Sequence, residues 1–220
     1  MSRFASDMAG TKANALAEWA ENRGQPMIRF DYFGHGQSSG VLRDGSIGRW
    51  SQDALAVLDQ LTHGPQILVG SSMGGWIMLL LALQRPERMA GLVGIAAAPD
   101  FTEDLIWNLF SEDAQQRLMS EGAIHMPSNH GDVVLEITRE FLEEGRQQLL
   151  LREPIAIDCP ARLLHGMADG DVPWRTSLRL LERLAGADAS LTLVKDGDHR
   201  LSRPQDLSRI FAAVAELSEG

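Results

Sequence analysis

One stretch of this sequence restricts the fold more than any other. Gln66-Ile-Leu-Val runs into Gly70-Ser71-Ser72-Met73-Gly74 and then, without a break, into Gly75-Trp-Ile-Met-Leu-Leu-Leu. A short apolar run ended by glycine reads as a parallel strand buried on both faces, and the longer apolar stretch after it reads as a buried helix. Strand and helix can follow one another this closely only through a very tight turn. Glycines two before and two after Ser72 permit that turn, in which the central residue is strained and its hydroxyl protrudes. The helix behind it aims its first N–H groups at the same point and favours negative charge there. Ser72 is therefore the candidate nucleophile, and the backbone N–H of Met73 a candidate oxyanion donor. The simpler reading is a glycine-rich connector in which Ser71 and Ser72 have no chemical role.

Similar apolar runs recur at 27–31, 91–95, 161–165 and 191–195, and helical patterns cover 10–21, 50–61, 73–84, 176–184 and 204–217. Alternation of this kind predicts an α/β domain, with a mostly parallel sheet covered by helices on both faces. A length of 220 residues predicts one domain over 1–220. Only the interval from about 100 to 160 breaks the rhythm. It shows no convincing buried strand, and 105–110, 114–120 and 133–151 read as helices around a break at Pro127. An insertion of that size reads as a helical lid.

A serine hydroxyl at its ordinary pKa needs a base, and the base needs an orienting group. The 161–165 run ends in a loop holding Asp169, and the 191–195 run ends in one holding His199. Ser72, Asp169 and His199 would then leave the same edge of a parallel sheet, where such sheets bind ligands. Their order along the chain is nucleophile, acid, base. Asp171 and Asp100 are rivals for the acid, and either Asp169 or Asp171 could be an ordinary turn residue. His165 reads as structural, His35 as part of a glycine turn, and His63, His125 and His130 as surface or lid residues. Within the insertion, Leu105, Ile106, Leu109 and Phe110 could line an acyl channel or simply pack the lid. Trp76 and Trp174 are aromatic candidates near the site, and Arg49 and Arg175 candidates for a carboxylate.

Composition narrows the partners. A formal charge of −10 opposes binding to nucleic acid, and the longest apolar run is far short of the ~20 residues that span a bilayer. With Cys159 as the sole cysteine and no H-E-x-x-H pattern, neither a metal site nor a metal cofactor is expected. The first residues lack a secretory pattern, so a cytoplasmic location is expected.

Taken together, these motifs resemble the α/β-hydrolase superfamily of serine hydrolases. Asp31-Tyr-Phe-Gly-His-Gly-Gln-Ser resembles its D-x-x-G-x-G-x-S loop, and His165-Gly-Met-Ala-Asp-Gly-Asp-Val-Pro its H-G-x-x-D-x-x-V-P loop. The segments beginning at Gly64, Arg85, Cys159 and Asp198 are similar to those of palmitoyl-protein thioesterases and their bacterial relatives. The resemblance implies cleavage of acyl thioesters or carboxylic esters, small-molecule or protein-bound, without a cofactor. It also implies that the backbone N–H of Phe4 supplies the second oxyanion donor. Here the chain departs from the family pattern. The N-terminal strands are missing, including a central one expected between the 27–31 and 66–69 strands, so a natural start upstream of Met1 is expected. The alternative reading is a weak or catalytically silent module of this fold that binds a ligand or partner.

Overall fold

Four of the expected apolar runs pair side by side. The computed structural model describes residues 1–127 and 134–219. In chain order the elements are α1 (Thr11–Asn22), α2 (Ile47–Leu61), β1 (Gln66–Ser71), α3 (Met73–Gln84), β2 (Met89–Ile95), α4 (Glu112–Glu121), β3 (Ala123–Pro127), β4 (Val134–Thr138), α5 (Arg139–Arg146), β5 (Ala161–Gly166), α6 (Arg175–Arg183), β6 (Ala189–Val194) and α7 (Pro204–Ser218). β1, β2, β5 and β6 form one parallel sheet in that spatial order. Each passes to the next through a helical crossover, so all four carboxyl ends share one edge.

Successive strand residues point to opposite faces, which is why the runs are apolar throughout rather than alternating. Leu92 and Leu163 join one core with Ile47, Trp50, Trp76 and Ile77. Val93, Ile95 and Leu164 join the other, with Leu16 of α1 and Ile210 and Val214 of α7. Each such side chain stabilises the fold by about 1.5–3 kcal/mol on burial. In α3 every residue from Met73 to Ala82 is buried, so this helix is enclosed on all sides. Side-chain caps start α2 and α4, where Ser46 and Ser111 accept from the N–H groups of Arg49 and Ala114.

Two expectations are corrected. Residues 27–31 are not a strand: they pair with no neighbouring strand, and Met27 and Ile28 are exposed. A strand requires a neighbour, and a cavity of about 930 Å³ lies between this segment and β1, with Ile28, Phe30, Ile67 and Val69 among its walls. Along that side of β1 the first residue makes two backbone contacts, Met1 N donating to Val69 O (2.9 Å) and Ser71 N to Met1 O (3.2 Å). The described strands therefore leave the interval open. Residues 27–31 are held instead through Asp31, whose carboxylate accepts from Met8 N (2.6 Å) and Gln37 N (3.0 Å).

The interval from 100 to 160 is not wholly helical either. β3 and β4 pair antiparallel, with Ile124 opposite Ile137 and Met126 opposite Leu135. The alternation of apolar and polar residues suits a ribbon with one face on the protein. Among the described residues of this interval, helix is confined to short turns over Thr102–Ile106 and Trp107–Leu109, and to α4 and α5. His130, and the start of the helix expected from residue 133, lie outside the described residues.

Candidate active site

The turn between β1 and α3 is as tight as its glycines allow. Ser72 has φ 55° and ψ −120°, a conformation that costs a non-glycine residue of the order of 1–3 kcal/mol and must be held by its surroundings. Three backbone bonds hold it. Ser72 N donates to Ile95 O (2.9 Å), and Ser72 O accepts from Gly75 N (2.9 Å) and Ala98 N (3.0 Å). A Cβ on Gly70 would lie 2.4 Å from Gly74 O, and one on Gly74 would lie 2.6 Å from both Met1 O and Ser2 O. Only glycine fits either place.

Two further loops rise from the same edge. Asp169 follows β5 and His199 follows β6, and the loops are joined through Ala168 N donating to Gly197 O (2.9 Å). A Cβ on Gly166 would lie 2.2 Å from Gly197 O, so this close approach also requires glycine. His199 Nδ1 lies 2.7 Å from Asp169 Oδ2, and His199 Nε2 lies 3.2 Å from Ser72 Oγ. The other oxygen, Asp169 Oδ1, accepts from Asp171 N (2.8 Å) and Val172 N (2.9 Å). Burial alone would push the Asp169 carboxyl up. Hydrogen bonds from His165 and His199, the charge of His199 and the Val172 N–H outweigh it and hold the group well below the ordinary carboxylate range. Asp169 is thus ionised at any working pH.

The rival acids are placed differently. Asp171 gives Asp169 its backbone N–H, and its own side chain is at the cavity wall. Buried Asp100 accepts from Leu150 N (2.7 Å), Leu151 N (2.9 Å) and Arg152 (3.0 Å), which ties the chain after α5 to the end of β2. Asp169, Asp171 and His199 could each offer one ligand atom within 4.8 Å of the others. In this structure Asp169 Oδ2 and His199 Nδ1 are bonded to each other.

Ser72 and His199 open into a cavity of about 260 Å³. Leu105 and Ile106 line it, whereas Leu109, Phe110 and Trp174 are not among its walls. Leu109 is 73 % exposed, Phe110 packs on the core, and Trp174 lies under the Arg175 guanidinium. Large apolar walls that the sequence does not reveal include Phe101, Met126, Leu135 and Ile137. The last three sit on β3 and β4, and the alternation within 124–126 and 135–137 was the available signal. Trp76 is buried and donates to Gln148 O (3.0 Å), and Arg49 stacks on Phe33.

Phe4 also lines the cavity, as does Met73. Its ring stacks on Phe141 and contacts Trp50, Phe101 and His35. The next residue, Ala5, donates its N–H to His35 Nε2 (3.3 Å), so His35 carries its proton on Nδ1, which donates to Phe33 O (3.1 Å). Burial pushes the His35 imidazole down, which favours this neutral form. The glycine turn thus holds the N-terminal segment against the cavity. Nearby, Lys12 donates to Arg200 O. Burial, with Arg3 and Arg200, pushes Lys12 down to about 8 against the pull of Asp198 and Asp169.

Comparison with known proteins places this geometry in context. Residues 12–126 match the model of the alpha/beta hydrolase fold. The human mitochondrial palmitoyl-protein thioesterase ABHD10 is 39% identical over 215 residues, covering 97% of this chain and 70% of the relative. A solved structure from Agrobacterium vitis S4 superposes with a TM-score of 0.93 at 45% identity, covering 97% of this chain and 84% of that one. Mouse alpha/beta hydrolase domain-containing protein 10 superposes with a TM-score of 0.92 at 38% identity, covering 99% and 87% respectively. The cytoplasmic location expected from the sequence is withdrawn, because the mammalian relatives are named as mitochondrial. No helix among the described residues is long and apolar enough to cross a membrane.

Proposed function

The chain belongs to the alpha/beta hydrolase family, and on that premise we propose that Ser72, His199 and Asp169 are the catalytic triad of its ester or thioester hydrolase activity. The observation that carries this reading is the unbroken line from Asp169 Oδ2 through His199 to Ser72 Oγ, at 2.7 Å and 3.2 Å. Asp169 Oδ2 accepts a hydrogen bond from His199 Nδ1–H, which leaves the Nε2 lone pair facing the Ser72 hydroxyl. Ser72 Oγ attacks the acyl carbon while its proton passes to His199 Nε2. The tetrahedral oxyanion is received by the backbone N–H of Met73, at the start of α3, and that of Phe4. His199 then gives its proton to the departing thiolate or alkoxide, and the acyl-enzyme remains on Ser72. Water, deprotonated by His199, releases the acid and restores the hydroxyl.

The relatives named as palmitoyl-protein thioesterases favour an acyl thioester as substrate. The apolar walls from Phe101 to Ile137 suit an acyl chain, with residues of the 100–160 insertion, Leu105 and Ile106 among them, covering it as a lid. A fluorophosphonate probe tests this reading, since it reacts only with an activated serine. Labelling of the parent protein and loss of labelling in Ser72→Ala are expected. An unlabelled parent that is demonstrably folded would instead favour the binding-module alternative.

A further inference from the structure

We propose that His165 is a positioning residue for the carboxylate of Asp169, and that Ser177 fixes its tautomer. The inference rests on the triad reading above and extends it by one more hydrogen-bonded pair. The His165 side chain is fully buried at the end of β5. Its Nε2 lies 3.0 Å from Asp169 Oδ2 and 3.0 Å from Val172 O. An ionised carboxylate and a carbonyl can only accept, so Nε2 must carry the proton. In the neutral ring Nδ1 is then a lone pair. It lies 2.6 Å from Ser177 Oγ on α6, whose hydroxyl can donate to it. The hydrogen bonds therefore run in one direction, from Ser177 to His165 to Asp169.

For Asp169 the consequence is geometric. Oδ2 accepts from both His165 Nε2 and His199 Nδ1, while Oδ1 accepts from the N–H groups of Asp171 and Val172. Two donors on each oxygen fix the plane of the carboxylate. Without His165, the oxygen that faces His199 would keep His199 as its one donor, and the Nδ1–H of His199 would lose a fixed target. His165 touches no reacting atom, so its effect must pass through Asp169 to the orientation of His199. That predicts loss in the chemical step, with substrate binding unchanged.

The test compares two substitutions. His165→Phe keeps an aromatic ring but no donor. In His165→Gln the side-chain amide nitrogen can take roughly the place of Nε2 and donate to Asp169 again. With a p-nitrophenyl ester, His165→Phe should lose about tenfold in kcat at constant KM, the scale of one ordinary hydrogen bond, and His165→Gln should recover most of it. If His165→Phe does not fold, Ser177→Ala carries the comparison, with a loss of about threefold in kcat and none in KM. Parental kcat in a folded His165→Phe or Ser177→Ala protein overturns the inference, as does a Gln variant no better than the Phe variant. Fluorophosphonate labelling of the parent separates the two levels. If the parent is not labelled, the triad reading fails; if it is labelled and the variants turn over as fast, only the role of His165 fails.

Discussion

Replacing Gly70 with alanine perturbs the strand-to-helix turn without touching any side chain of the triad. The added Cβ would lie 2.4 Å from Gly74 O, 2.7 Å from Gly74 C and 2.8 Å from Gly75 Cα. All three are backbone atoms of the first turn of α3, so no rotamer change relieves the contact. Strand and helix must separate by about 0.6 Å to reach the shortest tolerable distance. Overpacking of this kind costs about 1–3 kcal/mol, which in a chain of this length lowers Tm by about 2–12 °C. Ser72 sits between the two groups that must part. Its Oγ is 3.2 Å from His199 Nε2, already at the outer edge of hydrogen-bond reach, so a shift of half an ångström breaks that contact. With about a hundredfold in rate at stake per ångström of misplacement, kcat/KM should fall about tenfold to a hundredfold. The assay pairs calorimetric Tm with ester hydrolysis and the rate of fluorophosphonate labelling. Gly10→Ala is the control, since its Cβ would meet only Asp7 O at an ordinary 3.7 Å. A Gly70→Ala protein with parental Tm and labelling rate would refute the claim that the turn positions the nucleophile.

Other outcomes follow from the same geometry. Asp169→Asn puts a donor or a weaker acceptor against His199 Nδ1, which favours the unproductive tautomer, and kcat should fall by about 10⁴ while the fold survives; a loss below tenfold would contradict its role. Across p-nitrophenyl esters of increasing acyl length, kcat/KM should rise by up to about fourfold per methylene until the cavity is filled and then fall, because each buried methylene contributes about 0.8 kcal/mol. A profile that is flat from the acetyl ester onward would argue against an acyl channel. Lys12, pushed down to about 8 by burial, binds its proton less tightly folded than unfolded. Its cost is full below pH 8 and is relieved as pH rises toward the ordinary lysine value. Urea denaturation should therefore show the parent gaining about 1–2 kcal/mol relative to Lys12→Met between pH 8 and 10.5, and a constant difference would remove this assignment.

The parts of the molecule that were legible in the sequence are those in which local and global requirements coincide. β1, α3 and the turn between them read directly, because burial on both faces removes polar residues from the strand and the close approach at Gly70 and Gly74 excludes every side chain. The apolar run at 27–31 misled for the opposite reason. Its residues suit a strand, but strandhood requires a paired neighbour, and that is a property of the assembled sheet rather than of the segment. β3 and β4 are hard to read because each is five residues long and adjacent apolar residues, Ala123 beside Ile124 and Val134 beside Leu135, blur the alternation, so that the segments also fit half-exposed helix. Three cavity walls, Met126, Leu135 and Ile137, were missed with them. Leu109 and Phe110, which share a sequence neighbourhood with Leu105 and Ile106, turn elsewhere because the chain passes from a wide π-helical turn over Thr102–Ile106 to a tighter 3-10 turn over Trp107–Leu109, and the facing changes between the two. His165 looked structural because nothing in the sequence shows which side of a strand end a neighbouring loop will fold against.

The most direct measurement is to catch the covalent species itself. Parent protein mixed with excess p-nitrophenyl ester, quenched in acid during turnover and digested, should yield one acyl group per chain on the peptide containing Ser72. Ser72→Ala should form no acyl adduct and lose about 10⁶ in kcat, keeping only the residual rate that binding and the oxyanion donors supply. Steady turnover with no acyl adduct, an adduct on any other residue, or a Ser72→Ala protein that hydrolyses the ester at the parental rate would contradict the account.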